Sequence, residues 1–143
     1  MKIKTFKYIL LLTIIISFLS CSKTQQDRNP YLKDVSFGRE INLDLPQYSS
    51  LKFANNSVLI RDIGIKGVIV FNTGSQFMAW EASDPNHYPS SCSTMEPQQF
   101  TCSCPCEGNK YSLFDGQIIN GEGHYTLKPY HISPNGNILY IYN

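Results

Sequence analysis

The chain has 143 residues, 42% of them hydrophobic and 16% charged, with Lys and Arg exceeding Asp and Glu by one. That net charge of +1, with its basic residues scattered, supplies no stripe for a polyanion and excludes nucleic acid as a partner class. Nine Tyr and eight Phe suit strands better than helices.

Lys2, Lys4 and Lys7 open the sequence, an apolar run from Tyr8 to Phe18 broken only by Thr13 and Ser17 follows, and Ser20 precedes Cys21. This is the pattern of an export signal over residues 1–20. Its apolar run is well short of the roughly 20 residues needed to cross a bilayer as a helix. Phe18-Leu19-Ser20-Cys21 resembles a bacterial lipobox, with Phe and Leu departing from its commonest form. The resemblance implies that Cys21 is lipidated and that the mature protein is exported and held at an outer or inner bacterial cell membrane, facing periplasm or exterior. A lipoprotein cysteine carries several acyl chains, enough for stable anchoring. Residues 21–30 then form a polar, turn-rich tether, and residues 31–143 a single domain with one modest core.

Ile41-Asn-Leu43-Asp-Leu45 alternates apolar and polar up to Pro46 and predicts a half-buried strand. Leu51-Lys-Phe53 and Val58-Leu-Ile60 predict further strands around the turn residues Asn55 and Asn56. Gly67-Val-Ile-Val-Phe71 lacks polar members and predicts a strand covered on both faces. Asn72-Thr-Gly74 turns the chain into a strand over Gln76 to Glu81, whose Phe77, Met78 and Trp80 are assigned to the core. Leu127 to Ile132 and Ile138 to Tyr142 predict a hairpin turning on Asn135-Gly136, both residues at positive φ. No window sustains a helical period. The expected fold class is all-β, an antiparallel sandwich or barrel, interrupted between Ser83 and Gly116 by a loop-rich stretch suited to carrying function.

Cys21 aside, Cys92, Cys102, Cys104 and Cys106 make an even set in an oxidising compartment, where two disulfides are the simplest outcome. If Thr101 to Cys104 is extended, Cys102 and Cys104 share a face at about 6.5 Å between Cα atoms, a poor disulfide. Cys92 then pairs with one of the other three, and at least two thiols are free or bind something. Asp84, His87 and Glu107 are the candidate co-ligands.

Cys104-Pro105-Cys106-Glu107-Gly108, Tyr111-Ser-Leu-Phe-Asp115-Gly116, and the Gly121, Leu127 and Tyr130 spacing together resemble the Rieske family of iron-sulfur domains. Asp84-Pro85-Asn86-His87 stands where that family has its first cluster loop. The resemblance implies a Rieske-like β-sandwich or barrel with a cluster-type subdomain over residues 83–116. It also implies one-electron transfer by a [2Fe-2S] cluster to a redox protein partner through an exposed histidine edge. A Rieske cluster takes two thiolates on one iron and two imidazoles on the other. His87 and Cys104 match one ligand of each kind, whereas Asp84 replaces a Cys and Glu107 a His. Cys102 is the candidate substitute thiolate. The resemblance further implies a disulfide between Cys92 and Cys106, closing a loop of about 15 residues worth about 3 kcal/mol.

With half the ligand set changed, the sequence favours a domain without a cluster, its loops stapled and serving as a binding or structural surface. The alternative is an electron-transfer protein holding [2Fe-2S] or one metal ion. A mononuclear site would draw on His87, Cys104, Cys102 and one carboxylate, donors suited to zinc or copper(I). No Cys-His-Asn or Ser-His-Asp arrangement predicts an enzyme, and His124 and His131 read as ordinary strand neighbours.

Overall fold

The computed structural model describes residues 28–143, so the export signal, Cys21 and most of the tether lie outside the described residues. Ten strands follow in chain order: β1 Gly38–Asn42, β2 Ser57–Ile60, β3 Val68–Asn72, β4 Phe77–Glu81 and β5 Glu96–Gln98, then β6 Thr101–Ser103, β7 Lys110–Ser112, β8 Ile118–Asn120, β9 Pro129–Asn135 and β10 Ile138–Tyr142. Six form a base sheet in the order β1-β10-β9-β4-β3-β2, and β5-β6-β7-β8 form a smaller sheet. Every pairing is antiparallel. The fold is all-β, as expected, and no described helix is long and apolar enough to cross a membrane.

β3 explains the architecture. Its period-2 alternation sends Val68 and Val70 into one core with Leu51, Leu139 and Ile141, and Ile69 and Phe71 into a second core with Trp80, Met95, Tyr111 and Leu113. The apolar run Val68 to Phe71 is thus buried on both faces because a core lies against each. Trp80 joins the layers: its indole N–H donates to the Leu113 carbonyl at 2.9 Å. At Gly116, φ is +73° and a Cβ would lie 3.0 Å from the Trp80 ring, so only glycine fits that crossing.

Three expected elements differ. β1 ends at Asn42 rather than Leu45, because the Asn42 side chain accepts the Asp44 N–H at 2.8 Å and closes a turn. Leu51 to Phe53 is not a strand. Ser49–Lys52 forms a 3-10 turn, closed by Leu51 N–H to the Tyr48 carbonyl, that drops Leu51 into the core. The C-terminal hairpin pairs Asn135 with Ile138, so its turn is Gly136-Asn137, with positive φ at Gly136 and none at Asn135. A glycine alone at the first turn position suits the type II′ geometry, which needs no second positive φ.

Candidate functional site

The site lies where two loops meet at the end of the small sheet. The first leaves β4 and runs through Asp84 to Cys92. The second joins β6 to β7 through Cys104 to Asn109. Cys92 and Cys106 form a disulfide across them, with Cα atoms 5.2 Å apart and 14 residues of sequence separation. Among the described residues the free cysteines are Cys102 and Cys104, both buried.

The second loop is a tight turn. The Cys104 N–H donates to the Asn109 carbonyl at 2.8 Å and the Gly108 N–H returns to the Cys104 carbonyl at 2.9 Å. Burial pushes the Cys104 thiol pKa up, outweighing the Glu107 and Cys106 N–H groups, which favour the thiolate. The Asp84 carboxylate adds to that rise. Cys102 is held more firmly as a thiol: burial first, then Asp84, take it from 9.0 to about 12. Its sulfur packs on the Met95 sulfur at 3.7 Å inside the second core.

His87 Nδ1 lies 2.9 Å from the Tyr88 carbonyl, an acceptor only, which puts the ring proton on Nδ1. The bare Nε2 then faces the Cys104 sulfur at 3.3 Å and accepts its S–H. The ring is only 17% exposed, which leaves little of the histidine edge that the family resemblance implies. Asp84 is fully buried. Its Oδ1 accepts from the Asn86 N–H at 2.9 Å and the Tyr111 hydroxyl at 2.8 Å, and its Oδ2 faces Asn109 Nδ2 at 3.4 Å and His87 Nε2 at 3.9 Å. Burial and the Asp84 charge both hold the Tyr111 hydroxyl well above its ordinary pKa, so it stays a donor. Glu107 is exposed on the second loop.

The structure therefore gathers Asp84, His87 and Cys104, staples Cys92 to Cys106 beside them, leaves Glu107 in solvent and sets Cys102 apart. Sequence reasoning missed Asn86, Asn109 and Tyr111 as site residues. Asn86 donates to the Tyr111 hydroxyl at 2.9 Å and clamps the following loop by accepting from the His124 and Tyr125 N–H groups at 2.7 and 2.8 Å. The first loop is also tied to the domain entrance: Asn29 Nδ2 donates to the Pro85 carbonyl at 2.8 Å, and Tyr31 sits edge-on to Tyr88 with ring centroids 5.0 Å apart.

The donor set can be tested against the metals it suggests. His87, Cys104 and Cys106 offer atoms within 4.8 Å of one another, a group able to hold a metal ion, although the Cys106 sulfur is bonded to Cys92. A two-iron cluster fits poorly. The resemblance assigns His87 and Cys104 to opposite irons, yet their donor atoms are in hydrogen-bond contact at 3.3 Å. Asp84, in the position of a thiolate, already serves Tyr111, Asn86 and Asn109.

No family model and no curated protein matches the chain. Solved structures resemble it. A chain of the complex of reduced oxygenase and oxidized ferredoxin in carbazole 1,9a-dioxygenase is 16% identical, with a TM-score of 0.52, over 73% of this chain and 92% of that one. A chain from the complex of ferredoxin with a carbazole-bound, singly substituted oxygenase of carbazole 1,9a-dioxygenase is 14% identical, with a TM-score of 0.49, over 73% of this chain but 28% of that one. An NADPH nitrite reductase small-subunit oxidoreductase protein is 19% identical, with a TM-score of 0.43, over 72% and 97%. At 16% identity and a TM-score of 0.52 the first of these likenesses is one of fold, and the fold of this chain is Rieske-like.

Proposed function

We propose that this protein is an exported, lipid-anchored Rieske-like domain that carries no [2Fe-2S] cluster and presents its stapled loop tip as a binding or structural surface. The observation that carries the reading is the direct contact of His87 Nε2 with the Cys104 sulfur at 3.3 Å, which spans the place two irons would need. Asp84 supports it, because it puts a hard carboxylate oxygen, tied by the Asn86 N–H and the Tyr111 hydroxyl, where a cluster iron would take a thiolate. Export and anchoring rest on the basic start, the short apolar run and Cys21.

Purified chain supplied anaerobically with iron and sulfide should remain colourless and give no low-temperature paramagnetic resonance signal after dithionite. A rhombic signal that disappears in Cys104→Ser would overturn the reading in favour of electron transfer to a redox protein partner. Anchoring is tested separately by feeding cells a labelled fatty acid: label should enter the wild-type chain and be lost in Cys21→Ser.

A further inference from the structure

We infer that opening the Cys92–Cys106 disulfide turns the stapled tip into a site for one zinc ion, bound by His87, Cys104 and Cys106. The inference rests on the cluster-less reading of the same tip, and goes beyond it by naming the ligand and what admits it.

Three donors are already gathered. A ring nitrogen of His87, the Cys104 sulfur and the Cys106 sulfur all lie within 4.8 Å of one another, and Nε2 is the nitrogen that meets Cys104. Zinc bonds of about 2.3 Å to sulfur and 2.0–2.1 Å to nitrogen make a tetrahedral N-to-S edge of about 3.5 Å. The observed 3.3 Å between His87 and Cys104 is close to that edge, so one ion needs only a slight opening of this pair where two irons need a large one. The Tyr88 carbonyl holds the Nδ1 proton, leaving Nε2 bare and aimed inward, the orientation and tautomer that a zinc-binding imidazole requires. One imidazole and two thiolates form a set that zinc takes readily, with a fourth place left for water.

What is lacking is the second thiolate, because Cys106 is bonded to Cys92. That bond is accessible: Cys92 is exposed, Cys106 is partly so, and the Ser90 hydroxyl stands 3.4 Å from both sulfurs. A reduced dithiol partner can open the bridge by exchange, leaving as its own disulfide and giving thiols at Cys92 and Cys106. Zinc then displaces one proton from Cys104 and one from Cys106, and Cys92 stays free. Cys102 takes no part, since its sulfur faces Met95 within the core.

The test uses the full chain with Zn2+ as probe, in anaerobic competition against a chromogenic chelator, before and after reduction by a phosphine. The reduced chain should take up one zinc that the oxidised chain does not. Bound zinc should protect Cys104 and Cys106 from alkylation in peptide mapping while Cys92 reacts. His87→Ala and Cys104→Ser, lacking a direct ligand, should lose more than the roughly 10–100-fold in affinity typical of removing a supporting group. Cys92→Ser leaves Cys106 unpaired without reductant and should bind zinc directly. Equal zinc uptake by oxidised and reduced chains, alkylation of Cys106 in the reduced chain at the same rate with and without zinc, or a Cys92→Ser chain that binds none, folded or not, would overturn the inference. An iron-sulfur signal would refute the cluster-less reading whatever zinc does, and failure to bind zinc leaves that reading untouched.

Discussion

The base sheet and the loop tip each enclose a buried carboxylate, three residues apart in sequence, and the two are handled differently. Glu81, at the end of β4, accepts from the N–H groups of Ile65, Lys66 and Ser83 at 2.8–2.9 Å and from the Tyr130 hydroxyl at 2.7 Å. Every lone pair it needs to share is used by the scaffold, and it pins the turn before β3 to β9. Asp84 has fewer donors, two good and one long, and its second oxygen faces His87 and the cysteine loop. A saturated carboxylate is architecture, whereas one with spare acceptor capacity beside a thiol and an imidazole has chemistry left to do.

The largest expected effect breaks this contrast at the base. Glu81→Ala strands three backbone N–H groups and a hydroxyl inside the protein and should cost about 3–5 kcal/mol of unfolding free energy in urea titrations followed by Trp80 fluorescence. Next, Cys92→Ser removes the covalent tie between the tip loops and should lower stability by about 3 kcal/mol, the chain-entropy value for a loop of this size. Tyr111→Phe takes one strong donor from Asp84 and should cost about 1–3 kcal/mol, less than the base carboxylate does. Equal losses in Glu81→Ala and Tyr111→Phe would erase the distinction.

Two smaller effects sharpen it. Cys102 has a folded pKa raised to about 12 from 9.0, so its contribution to stability is fully present below pH 9 and is lost as pH rises toward 12. Replacing it by Ala should therefore flatten part of the alkaline decline and leave the pH dependence near neutrality unchanged. The folded chain should also protect Cys102 from alkylation until denaturant is added. Last, Arg39→Ala removes a half-exposed ion pair with Asp62 and should change stability by at most about 1 kcal/mol, less in added salt.

Strand content was legible in the base sheet because side-chain alternation is local, whereas the three-residue strands β5 to β8 are too short to show a period and went unread. The apolar run at Val68 to Phe71 correctly implied burial on two faces, and Ile138 to Tyr142 is β10 itself. Boundaries failed where a side chain competed with the ladder, as Asn42 does by capping a turn, or where a short apolar stretch had no strand to pair with, as at Leu51. At the tip, family resemblance carried the Cys92 to Cys106 pairing, which spacing alone left open. The polar frame of Asn86, Asn109 and Tyr111 was illegible for another reason. Each acts on a partner 25 to 39 residues away, and a hydrogen bond across such a span leaves no period in the sequence.

The ties from Asn29 to Pro85 and from Tyr31 to Tyr88 give the molecule a fixed heading. Whatever precedes Arg28 enters the domain alongside the same loop that carries Asp84 and His87. Tension applied from the N-terminal side through Asn29 and Tyr31 would thus be felt at Pro85 and Tyr88, on the loop that carries the site, before it reached the base.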